Sequence, residues 1–162
     1  YHNNLETSRR SFPQVCTTHT YDDKIRVMEA LRQTGLEICS GGIIGLGESM
    51  EDRLDLALEL GRQGASYIPV NILNPIPGTP LEKNPPLPLE EIRRTVALFR
   101  FTLPQATICL AGGRSLLADQ GRSIFQSGAN AAISGYLLTT CGIDIEDDLK
   151  TFSELGFETK MP

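Results

Sequence analysis

A chain of 162 residues with 40% hydrophobic and 22% charged side chains has the makeup of one globular domain with a real core. A formal charge of −5 without clustered Lys and Arg gives no electrostatic reason to expect a nucleic-acid partner, and no apolar run reaches the length of a membrane span. Four widely spaced cysteines (16, 39, 109 and 141) and no opening secretory signal exclude a disulfide scaffold and point to a reducing cytoplasm.

The chain starts Tyr1-His2-Asn3-Asn4-Leu5-Glu6-Thr7-Ser8, without an initiator Met, and reads as part of a longer protein. If residues 1–6 are extended, Asn4 and Glu6 point the same way. A carboxylate there can hold two ribose hydroxyls, and an amide can both donate and accept. The competing reading is a polar turn in which Thr7 or Ser8 caps a short helix. A helix is predicted over 20–34, with Thr20 as its cap and Gly35 as its stop.

Four units of strand, turn and amphipathic helix follow. Strand 36–44 leads to a helix over 50–63, entered through Ser49 with Asp52 three residues on. Strand 66–73 leads through a proline-stiffened loop, 74–88, to a helix over 88–103 stopped by Pro104. Strand 106–111 precedes a helix over 115–127, and strand 130–136 precedes a loop and a last helix over 145–155. Such alternation predicts an α/β fold with parallel strands and helical crossovers.

The strand faces divide by chemistry. Leu36 and Ile38 oppose Glu37, Cys39, Gly41 and Ile43; Ile68, Val70 and Ile72 oppose Tyr67, Pro69, Asn71 and Leu73; Ile108 and Leu110 oppose Thr107, Cys109 and Ala111. In a barrel the branched face meets the helices and the other face lines the lumen. Only four strands are legible, so a TIM-type (β/α)8 barrel would need an upstream half, and this segment by itself would have open edges.

Cys39 and Cys109 are the leading candidates for chemistry. Two mid-strand thiols on one inward face suggest a metal or iron–sulfur site; the plain alternative is a pair of core thiols, since free Cys packs as a small hydrophobe. The glycine-rich turn 41–47 lets a ligand approach the backbone, while Glu48 beside it would repel phosphate. Asn71 is an amide in an apolar strand and needs partners from the core or a ligand. Thr139 and Thr140 offer adjacent hydroxyls at the last strand–loop junction. Cys16 and Cys141 read as loop thiols, and neither His2 nor His19 has a partner at ligand spacing.

Five segments resemble, in order, the biotin synthase family of radical S-adenosylmethionine (SAM) enzymes. They are residues 1–8, Cys39-Ser40-Gly41-Gly42-Ile43-Ile44-Gly45-Leu46-Gly47-Glu48, Pro69-Val70-Asn71-Ile72-Leu73 with Gly78-Thr79-Pro80-Leu81, Ala111-Gly112-Gly113-Arg114, and Gly128-Ala129-Asn130 with residues 135–140. The resemblance implies a radical SAM (β/α)8 barrel of which residues 1–162 are the C-terminal half. It implies sulfur insertion into dethiobiotin, with a [4Fe–4S] cluster that cleaves SAM and an auxiliary iron–sulfur cluster, [2Fe–2S] or larger, as sulfur donor. It also implies an electron donor such as flavodoxin or ferredoxin, and is compatible with a homodimer.

Residue by residue, Cys39 matches an auxiliary-cluster ligand. Asn4 and Glu6 match contacts to SAM and substrate, and Ile43 a contact near the SAM adenine. Asn71 matches a contact to the ureido ring of dethiobiotin, and Thr139 and Thr140 contacts to its carboxylate tail. Three departures stand out. The CxxxCxxC motif of the SAM cluster is absent and would precede Tyr1, so the segment alone is expected to be inactive. The opening His2-Asn3-Asn4 replaces the usual Asn-His-Asn. Cys109 stands where the family commonly has an arginine ligand, so it is expected to bind the auxiliary cluster as a thiolate. Rival readings are another radical SAM barrel of the hydrogenase-maturation type, a phosphate-binding barrel using Lys24 or Lys83, and a non-catalytic barrel fragment.

Overall fold

In the computed structural model, which describes residues 1–136 and 142–159, four parallel strands lie side by side in chain order. They are β1 (Gly42–Ile44), β2 (Tyr67–Ile72), β3 (Thr107–Leu110) and β4 (Ala131–Ala132). Helices α1 (Phe12–Val15) and α2 (Tyr21–Thr34) precede β1; α3 (Met50–Arg62), α4 (Leu89–Thr102) and α5 (Arg122–Phe125) are the crossovers; α6 (Ile145–Glu154) follows β4. This is the expected α/β architecture of a partial (β/α) barrel. Among the described residues no helix is long and apolar enough to cross a membrane.

One face of the sheet carries the core. Ile68, Val70 and Ile72 of β2 and Ile108 and Leu110 of β3 are buried against the helices. The helices answer with Ile25, Met28 and Leu31 from α2, Leu56, Ala57 and Leu60 from α3, and Ile92, Val96 and Phe99 from α4, each set one stripe at helical spacing.

Local chemistry sets the helix ends. Thr20 with Asp23 and Ser49 with Asp52 form complete capping boxes, and Gly35 closes α2 in the left-handed conformation at φ 72°. Pro88 precedes α4, and Arg100 near its end donates to the carbonyls of Leu103, Ala106 and Gly128, tying the turn before β3 to the one before β4.

Four sequence expectations change. Strand 36–44 is continuous only over Gly42–Ile44, with Cys39 held by isolated bridges on both sides. Strand 130–136 shortens to two residues. Helix 115–127 divides into a 3-10 turn, Arg114–Leu116, and α5, because Gln120 (φ 52°) and Gly121 (φ 85°) are both left-handed. The Asp119 carboxylate then caps α5 by accepting from the backbone N–H groups of Gly121 and Ser123. Finally, residues 1–6 run parallel to the segment before and into β1, bridging at His2–Cys39 and Glu6–Gly42, so the sheet has a fifth row that periodicity did not announce.

Candidate functional site

The strand register, read across the sheet, puts the candidate residues in rows. His2 lies opposite Cys39, Cys39 opposite Tyr67, and Tyr67 opposite Thr107. Two residues farther along, Pro69 lies opposite Cys109, and Cys109 opposite Ala131. Two farther still, Ile43 lies opposite Asn71. Since Tyr67, Pro69 and Asn71 alternate with the buried Ile68, Val70 and Ile72, all three rows face away from the helices. Cys39 and Cys109 therefore share a face, as their parity predicted, and stand one row and two strands apart.

The two thiols have different settings. Cys109 is fully buried, while Cys39 is half-buried, and both are free. Burial pushes the Cys109 thiol up, opposed by the Tyr67 hydroxyl and the Arg114 charge, while Cys39 adds to the rise. Burial also pushes Cys39 up, and its Sγ lies 3.2 Å from His2 Nδ1. A pair of desolvated thiols on one face suits a soft metal centre, and coordination to iron would remove their protons outright. Among the described residues no group of three or more His, Cys, Asp or Glu side chains converges on one point.

At the sheet edge the structure brings Asn4 and Glu6 together, by a route the sequence did not disclose. Three residues lie between the bridged His2 and Glu6, whereas two lie between their partners Cys39 and Gly42. The extra residue makes a bulge, and Glu6 adopts φ 69° there. Asn4 fills the interrupted ladder with its side chain, whose Oδ1 accepts from Gly41 N at 3.0 Å, while its Nδ2 reaches Glu6 Oε2 at 3.5 Å. Burial raises the Glu6 carboxyl above its ordinary range, partly offset by Lys24, Asn4 and His2.

Asn71 is bonded across both neighbouring strands. Its Nδ2 donates to Gly42 O at 3.2 Å and its Oδ1 accepts from Gly112 N at 2.9 Å. The amide retains one N–H and one lone pair for a further partner. Ile43, the middle residue of β1, is half-buried beside it. Thr139 and Thr140, with Cys141, lie outside the described residues.

Two readings of the glycine-rich turn are corrected. A Cβ on Gly41 would lie 1.9 Å from Pro69 O, and one on Gly42 2.3 Å from Glu6 O, so these glycines admit neighbouring strands rather than a ligand. Glu48 does not face a ligand either. Its side chain is 2% exposed and accepts from Arg53 Nε at 2.7 Å and Gly45 N at 2.9 Å. Arg53, itself 1% exposed, also donates to Glu91 and Thr95 of α4. The turn after β1 is thus pinned by a buried ion pair that sequence reading missed. Asp52 plays a similar part for the opening segment: beyond its capping box it accepts from Ser8 Oγ at 2.6 Å and pairs with Arg10. His2 beside Cys39 was also missed; the contact depends on pairing between segments 37 residues apart and leaves no local signal. Cys16, read as a plain loop thiol, lies 3.4 Å from His19 Nδ1, and a hydrogen bond with Thr18 lowers it.

Comparison with known proteins gives consistent results. Residues 69–158 match the family described as the Biotin and Thiamin Synthesis associated domain. A biotin synthase of Clostridium botulinum (strain Loch Maree) is 58% identical over 158 residues, covering 98% of this chain and 50% of that protein. A biotin synthase of Akkermansia muciniphila is 56% identical over 161 residues, covering 99% and 50%. The chain thus spans about half the length of the curated relatives it matches. Among solved structures, methylornithine synthase (PylB) superposes with a TM-score of 0.79 at 16% identity, covering 99% of this chain and 52% of that one. HydG, a maturase of the [FeFe]-hydrogenase, gives 0.76 at 19% identity, covering 97% and 39%. At such identities the two structures share the fold.

Proposed function

The chain belongs to the family of the Biotin and Thiamin Synthesis associated domain, and from that premise we propose that it forms the C-terminal half of a biotin synthase barrel of the radical SAM class. The whole protein would insert sulfur into dethiobiotin, working in a reducing cytoplasm where its thiols stay free. The upstream half would bring the CxxxCxxC motif and the remaining cluster cysteines. The observation that carries the reading is the placement of Cys39 and Cys109 on one face, one row and two strands apart, in a chain 58% identical to a biotin synthase.

In that role Cys39 and Cys109 would hold the auxiliary iron–sulfur cluster, whose chemistry is to give up sulfide to the substrate. The rest of this half orients and shields. Asn4 and Glu6, joined at the edge bulge, offer an amide and a carboxylate to the SAM ribose and to substrate. Ile43 supplies apolar surface for the adenine. Asn71, held from both sides by Gly42 and Gly112, would present its remaining N–H and lone pair to the ureido ring. Thr139 and Thr140 would receive the carboxylate tail. In the whole barrel, a closed sheet around these residues would keep water from the reacting groups. An electron donor of the flavodoxin or ferredoxin class would supply the reducing equivalents.

The test is a chimera in which residues 1–162 replace the matching half of the Clostridium botulinum enzyme. Purified without oxygen, it should be brown, cleave SAM, and form biotin only when dethiobiotin is added. A chimera that folds and cleaves SAM yet leaves dethiobiotin unchanged would refute the assignment of substrate.

A further inference from the structure

We propose that His2 is a positioning residue for Cys39, its Nδ1–H donating a hydrogen bond to the sulfur that binds the auxiliary cluster. The inference rests on the cluster reading above but assigns a role to a residue which that reading leaves idle. His2 Nδ1 lies 3.2 Å from Cys39 Sγ, a close contact for an atom as large as sulfur. A metal-bound thiolate has lone pairs and no proton, so the hydrogen in this contact belongs to the imidazole.

The geometry is imposed by backbone pairing on both sides of the ring. Cys39 N donates to Tyr1 O at 2.9 Å, and Asn3 N donates to Cys39 O at 3.0 Å, which fixes His2 directly opposite Cys39. Lys24 Nζ then holds the Asn3 side chain at 3.1 Å, anchoring the edge segment to α2.

An N–H donor on a ligating sulfur draws electron density away from iron and raises the reduction potential of the cluster. It also holds the thiolate in one rotamer. Both effects should depend on the donor rather than on the imidazole as such.

The experiment uses anaerobic full-length protein with four sequences: wild type, His2→Phe, His2→Asn and Cys39→Ala. Phe keeps a ring and removes the donor. Asn places its amide nitrogen as many bonds from the backbone as His Nδ1, and so retains it. The readouts are Mössbauer spectra and EPR-monitored redox titrations of both clusters. The auxiliary-cluster potential should become more negative in His2→Phe and stay near wild type in His2→Asn, with the SAM-cluster potential unmoved in both. Selective loss of the auxiliary cluster from His2→Phe, with retention in His2→Asn, would support the same conclusion. An unchanged auxiliary potential in His2→Phe overturns the proposal. Loss of the cluster from both variants also overturns it, because the site would then need the imidazole itself. Cys39→Ala separates the two levels: if it keeps a normal auxiliary cluster, the cluster reading fails; if it loses the cluster while His2→Phe is silent, only the role of His2 fails.

Discussion

Removing the Arg53 guanidinium should strand a buried carboxylate, and the size of the effect can be worked from its partners. Arg53 and Glu48 are 1% and 2% exposed, whereas Glu91 is 40% exposed. The exposed partner contributes little, about 0–1 kcal/mol, so the loss is dominated by Glu48. Leaving one member of a buried ion pair uncompensated costs about 3–5 kcal/mol. Arg53→Met should therefore destabilise by about that amount. Glu48→Gln should cost less, about 1–3 kcal/mol, because Arg53 keeps Glu91 and Thr95 and the Gln oxygen can still accept from Gly45 N. The double variant should fall well short of the sum, since no buried charge is then left without a counterion. Urea unfolding of cluster-free full-length protein measures all three, read as midpoint shifts at constant slope. Single-variant costs that add to within about 0.5 kcal/mol would refute the coupling and with it the claim that this pair pins the turn after β1.

Three further outcomes are expected. Cys109→Ala should lose auxiliary-cluster iron and biotin formation while Cys16→Ala keeps both; full iron, sulfide and Mössbauer signal in Cys109→Ala would show that Cys109 is not a ligand. Asn71→Ala removes the acceptor of Gly112 N–H, so it should cost about 1–3 kcal/mol in urea unfolding. It should also weaken dethiobiotin binding about 5- to 150-fold with SAM binding little changed; unaltered substrate affinity would leave Asn71 a purely structural clasp. Burial pushes the Asp52 carboxyl up, but hydrogen bonds from Ser8, Ser49 and Arg10 outweigh it and hold the group well below its ordinary 3.8. A depressed folded-state pKa gives stability that is present above 3.8 and lost as pH falls below it. Wild type should lose more stability than Asp52→Asn between about pH 6 and about pH 3, and parallel urea-midpoint profiles would contradict this.

Features encoded by short-range chemistry were legible in the sequence. The capping boxes at Thr20 and Ser49, the Pro-led entry to α4 and the period of two through Tyr67–Ile72 were visible because each depends on neighbours within a few residues. The shared face of Cys39 and Cys109 was visible by parity. What stayed hidden is long-range. Residues 1–6 show no clean alternation because a bulge at Glu6 interrupts it, so their pairing with the segment through Cys39 could not be read. The buried charges of Glu48 and Arg53 look like ordinary polar residues of a turn and a helix until α4 is folded over them. The break before α5 depends on a left-handed Gln120, a conformation a Gln does not advertise.

A thiol at position 109, where the biotin synthase resemblance implies a guanidinium, would change what the rest of the face must do. Arginine brings its own positive charge and several donors; a thiolate brings negative charge and only acceptor capacity. Arg114, five residues on, does not turn back to offer a cation at position 109. It is buried, paired with Asp148 and stacked over the Phe125 ring at 5.8 Å. Burial pushes the Cys109 thiol up, and the Tyr67 hydroxyl and the Arg114 charge only oppose that rise. On the other thiol, the proposed donor is His2, whose Nδ1 lies 3.2 Å from the sulfur. A cluster with two sulfur ligands from this half would therefore meet a face already supplied with hydrogen-bond donors aimed at sulfur, which is what extra negative charge on the ligands requires.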